Sequence, residues 1–144
     1  MIIIYYLSIL APFGALFALG YFPVVLPGRR LTKRQLFGVG DAWAPIAGVL
    51  GTVVGFLFYG LNNYDRFALA PDHVRMAWQN SGMAYVYEMG QALFSGVLCA
   101  VVLLVAARFL PRLAQNPRLT TPVAALLISF IDFSLWPVFL SPFL

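Results

Sequence analysis

The sequence predicts an all-α integral membrane protein, four transmembrane helices in a compact bundle with both termini on the outer, periplasmic side. Three observations predict it. Four apolar runs are each long enough to cross a bilayer, which takes about 20 helical residues. Charged residues make up 10% of the chain and hydrophobic ones 62%. A water-facing domain carries roughly a quarter charged residues to keep its surface wet. The basic residues, finally, gather in two short loops that fall on one side of the bundle. At 144 residues the chain is expected to form a single domain, 1–144.

The first span is expected over about 2–26, stopped by Pro23, Pro27 and Gly28. It does not read as a cleavable signal peptide. No basic residue precedes it, and the apolar run is about twice the usual length of such a segment. The second span covers about 42–61, with Asp41 as N-cap and Pro45 tolerated in a first turn. The third covers about 83–107, opened by Asn80 or Ser81. The fourth covers about 122–143, with Thr121 as N-cap and Pro122 at the first helical position. Between spans two and three, "PDHVRMAWQ" begins with Pro71 and sets Val74 and Trp78 four apart. It reads as a short interfacial helix over about 71–79, or equally as a capping loop packed on the bundle.

Charge orients the spans. One loop carries Arg29, Arg30, Lys33 and Arg34, and another carries Arg108, Arg112 and Arg118. Each joins an odd span to the next even one, so both lie on the same side. The positive-inside rule makes that side cytoplasmic and places the chain, as a multi-pass protein, in the inner membrane. Topology thus accounts for the net charge of +4, and nucleic-acid binding is not expected. Tyr5, Tyr6, Tyr59, Tyr64, Tyr85, Tyr87 and Trp136 fall toward the outer ends and Tyr21 and Trp43 toward the inner ends, as an aromatic belt requires. The single cysteine, Cys99, rules out an internal disulfide and reads as an apolar packing residue. The stretches "VVLPGRRLTKRQL" and "RFLPRLAQNPRLT" resemble each other, and they read as one way of stopping a helix used twice rather than as a duplicated hairpin.

In lipid, helices associate by close backbone approach and polar contact. The second span offers a small-residue face of Ala44, Gly48, Thr52 and Gly55, with Gly51 beside it. The third offers Ala92, Gly96 and Ala100, and the first Gly14 and Ala18. Faces in such number predict tight packing inside the chain or docking to another protein.

Asp132 stands about 11 residues beyond Thr121, roughly 16 Å along the helix and near the bilayer midplane. An Asp there costs about 2.5–3.5 kcal/mol of insertion, against about −0.3 to −0.6 kcal/mol for each strongly apolar neighbour. The helix inserts in spite of it. Ala125, Ser129, Asp132 and Trp136 share one face, which should meet protein or a wet cavity. No Lys, Arg or His lies in the apolar heart of any span. Asp132 should therefore be neutral and hydrogen-bonded to groups such as Ser129, Thr52 or Gln91, or be met by a cation from another chain. Glu88, Gln91 and Ser95 form a second polar face near the outer end of the third span. They read as an interfacial carboxylate and its neighbours, or as an ion path leading inward.

No nucleophile and base grouping, phosphate loop or metal-ligand spacing occurs, and His73 stands alone beside Asp72. No enzyme activity, catalytic residue, cofactor or metal is expected. The leading expectation is a non-catalytic accessory or assembly subunit of a larger membrane complex, partnered by lipid and by other integral subunits. The alternative is a small homo-oligomeric ion- or proton-coupled transporter or channel that uses intramembrane carboxylates.

Overall fold

The computed structural model describes residues 1–31, 38–62, 83–110, 112 and 116–134, with the backbone alone for 60, 62 and 83–88. The described residues form four helices: α1 (Ile2–Leu31), α2 (Val39–Asn62), α3 (Met83–Phe109) and α4 (Pro117–Ser134). Ile2–Leu31, Val39–Tyr59 and Met89–Phe109 are long and apolar enough to cross a membrane, which fits a multi-pass membrane protein. The described part of α4 is 18 residues and carries Arg118 and Asp132; it is not among those three. The expected remainder of the fourth span, including Trp136, lies outside the described residues, as does the expected interfacial helix over 71–79.

Three helix ends differ from expectation. α1 passes through Pro12, Pro23 and Pro27 and ends at Leu31. Pro23 and Pro27 point outward, and a lone missing N–H inside a long apolar helix is tolerated there. Gly28 is a packing contact and not a stop, because a Cβ on it would press into Leu104 at 2.5 Å. α2 starts at Val39, so Asp41 is not its N-cap. The Asp41 N–H bonds the Gly38 carbonyl at 3.1 Å, and the Asp41 carboxylate accepts from the Gly38 N–H at 2.9 Å. Gly38 is therefore the cap and Asp41 the third helical residue reaching back to it, half of a capping box. α4 starts at Pro117, with the Asn116 carbonyl accepting from Leu119 and Thr120. The expected signature of a polar cap followed by Pro is present, but at Asn116–Pro117 rather than Thr121–Pro122.

The helices form a ring in the order α1, α3, α4, α2, with contacts densest between α1 and α3 and between α2 and α4. Both dense pairs run parallel. In the first, a Cβ on Gly20 would strike the Leu93 carbonyl, and one on Gly96 would strike the Phe17 carbonyl. The contact is reciprocal, so each helix lends a glycine to the other's backbone. In the second, Gly51 faces the Leu126 carbonyl and Gly55 lies 2.9 Å, as an ideal Cβ, from the Phe130 carbonyl. These are the close backbone approaches that replace water exclusion as the cohesive force in lipid.

Large side chains fill the space between the pairs. Phe17, Tyr21, Val25, Ala44, Cys99, Ala100 and Ala125 form one buried cluster, and Phe13, Ala92 and Phe133 a second. Phe17 fills the groove over Gly48, and Val49 sits over Gly14. Cys99 is fully buried, as expected of a packing residue. Tyr5, Tyr6 and Trp43 are exposed, whereas Tyr21 and Tyr59 are buried and do not belong to a belt.

Candidate functional site: two polar bridges between helix pairs

Glycine contacts hold each parallel pair together. Among the described residues, two polar bridges join one pair to the other. The first is where α1 ends and α2 begins. Asp41, only 2% exposed, accepts from the Tyr21 hydroxyl at 2.6 Å and from the Arg29 guanidinium, in addition to the Gly38 N–H. Burying a carboxylate is unfavourable unless it is both paired and hydrogen-bonded. Asp41 has a cation, a phenol and a backbone donor, so its charge is fully met. Asp41 also lines a hollow of about 110 Å³ with Gly38, Pro117 and Arg118.

The second bridge joins α3 to α4. The Gln91 amide nitrogen donates to the Asp132 backbone carbonyl at 2.9 Å and to Oδ1 of its carboxylate at 3.2 Å. The Ser95 hydroxyl donates to Oδ2. Asp132 is 9% exposed and Ser95 fully buried. Every donor here is neutral, and among the described residues no cation pairs with Asp132. Two oxygens close by are left over: Gln91 Oε1 and Ser129 Oγ are buried and have no hydrogen-bond partner among the described residues.

The polar stripe expected on α4 is present, since Ala125, Ser129 and Asp132 are buried together with Thr121. Of the three partners expected for Asp132, Gln91 alone is found. Thr52 donates instead to the Gly48 carbonyl at 2.9 Å, one turn back in its own helix. The Ser129 Cβ lies against Gly51 of α2, and its hydroxyl makes no hydrogen bond among the described residues. Ser95 takes the open place; it belongs to the Glu88–Gln91–Ser95 face, which the i, i+4 step from Gln91 brings to the same carboxylate. The Glu88 side chain lies outside the described residues.

The small residues expected to pack, Gly48, Gly51, Thr52, Gly55, Ala92 and Gly96, are all buried within the chain. Among the basic loop residues, Arg29 turns inward to Asp41, while Arg30, Arg108, Arg112 and Arg118 are exposed. Lys33 and Arg34 lie outside the described residues. Sequence reasoning missed the Tyr21–Asp41–Arg29 bridge altogether. One signal was available: Tyr21 and Arg29 stand eight residues apart, two turns on one helix face, and Asp41 is the next acidic residue along the chain.

No protein-family model matches this chain, and no curated protein or solved structure matches it either.

Proposed function

We propose that this protein is a small ion- or proton-coupled transporter or channel, working as a homo-oligomer, with Asp132 as the group that takes up the moving ion. The contrast between the two buried aspartates carries this reading. Asp41 has the cation and the donors that a structural carboxylate requires. Among the described residues Asp132 has neutral donors only, in a seam between two helix pairs. An ionisable group inside a membrane is rare and marks an ion or substrate path by default. Glu88, three residues before Gln91 on the same helix, is the second carboxylate of the proposed path. Four helices are too few to enclose a path alone, which is why an oligomer belongs to the proposal. The positive-inside rule sets it in the cytoplasmic membrane with its termini outward.

An accessory or assembly subunit is the second reading. Its support is the exposed apolar stripe of α4, where Val123, Leu127 and Ile131 are each about half exposed (46%, 50% and 52%) and suit lipid or a neighbouring subunit. The small-residue faces lend it no weight, because they are filled inside the chain.

The test is flux in liposomes under an imposed Na+ or pH gradient. Wild type should carry flux and Asp132→Asn should abolish it while remaining monodisperse. Undiminished flux in the Asn variant would sink the transport reading. Native mass spectrometry from the source membrane separates the two readings further: a homo-oligomer favours transport, and a fixed stoichiometry with other subunits favours assembly.

A further inference from the structure

We infer that Asp132, Gln91 and Ser95 form a binding site for one small monovalent cation of the Na+ class, with Ser129 one turn away on α4 as a further oxygen. The inference deepens the transport reading and rests on it.

The donor set comes first. Both carboxylate oxygens of Asp132 meet the α3 face, the Ser95 oxygen bonds one of them, and the Gln91 amide lies against the other at 3.2 Å. The free Oε1 of that same amide is buried and accepts nothing among the described residues. Ser129 is fully buried and its hydroxyl is likewise without a partner. These are carboxylate, amide and hydroxyl oxygens, with no nitrogen or sulfur ligand among them. Such a set suits hard cations and not the softer transition metals.

Charge sets the valence. Among the described residues, Asp132 is the single carboxylate of the cluster. One monovalent cation makes the cluster neutral, whereas a divalent ion would leave a net positive charge in apolar surroundings, which is strongly unfavourable. Calcium also takes six to eight oxygens and commonly several carboxylates.

Two side chains turn. The Gln91 amide, whose nitrogen faces Asp132, rotates to bring Oε1, without a partner among the described residues, to the ion. The Ser95 hydroxyl, which donates to Oδ2, turns about its C–O bond to present a lone pair. Both orphaned oxygens then gain a use, and buried polar atoms without partners call for one.

The experiment uses the full chain in detergent at fixed pH and ionic strength, with choline chloride replaced stepwise by NaCl. Radioactive Na+ binding and thermal unfolding are followed in parallel. Wild type should bind Na+ saturably, one ion per chain, and its Tm should rise with Na+ but not with choline. Asp132→Asn should lose saturable binding, and Ser95→Ala and Gln91→Met should weaken it about tenfold or more, as ligand-shell changes do. Absence of saturable binding in wild type overturns the inference. So does unchanged binding in Ser95→Ala together with Gln91→Met, two mild variants that keep the test decisive if Asp132→Asn does not purify. Na+ binding without flux leaves the site standing and removes the transport reading. Proton flux that needs Asp132, without any Na+ binding, does the reverse.

Discussion

Asp132 and Asp41 are both buried, yet their neighbours give them different consequences on mutation. Asp132→Leu leaves the Ser95 and Gln91 donors facing an alkyl group, while Asp132→Asn keeps an oxygen for one of them. Intramembrane hydrogen bonds average about 0.6 kcal/mol. The Leu variant should therefore lower stability by about 1 kcal/mol and the Asn variant by less, which denaturation in mild detergent will show; equal loss in both would mean that these bonds hold nothing together. Asp41 is a larger case, because its partner is a charge. Removing one member of a buried pair costs about 3–5 kcal/mol, and replacing both by apolar residues of similar size is often neutral. Arg29→Met alone should destabilise strongly, and adding Asp41→Leu should recover most of the loss. Absence of recovery would show that the pair does not act as a unit.

At the scale of helices, packing turns on where a Cβ is allowed. Gly20 and Gly96 press on each other's partner backbone, and carbonyl oxygens cannot give way as a side-chain tip can. Gly20→Ala or Gly96→Ala should push α1 and α3 apart and cost about 1–3 kcal/mol, the usual range for overpacking. Gly90 is the control, since a Cβ there meets nothing within 4 Å. Gly90→Ala should be neutral or stabilising by about 0.5–1 kcal/mol, because Ala is the better helix former. Melting all three variants side by side checks the assignment; equal behaviour would refute it. The helices themselves were largely readable from apolar runs. Their ends were not. Both α2 and α4 begin several residues before the apolar run does, at Gly38–Val39 and Asn116–Pro117, and apolar periodicity carries no signal for those first turns. α1 overruns its prolines because in a lipid-facing helix the penalty falls on a single bond.

For the molecule as a whole, the two parallel pairs are the unit of architecture, and Arg29, Arg30, Arg108 and Arg118 all lie at the end where α1 and α3 finish and α2 and α4 start. Orientation in the membrane can be read by labelling. In a Cys99→Ser background, a cysteine replacing Ile2, at the outer end of α1, should react with an impermeant reagent added outside intact cells, and one replacing Arg30 should react only after permeabilisation. The opposite pattern would reverse the proposed topology.

Composition and periodicity were enough to specify helices, apolar outer faces, and the polar and small-residue stripes, because those depend on the spacing of residues along one helix. The stripe through Ala125, Ser129 and Asp132 was readable for that reason. Which stripe meets which is a different kind of fact. The pairing of Gly20 with Gly96, the choice of Ser95 over Thr52 as a donor to Asp132, and the inward turn of Arg29 to Asp41 each join residues on different helices. In lipid no solvent gradient selects one helix face over another of similar polarity, so those choices fall to van der Waals fit and hydrogen-bond geometry, which exist only once the helices are in contact.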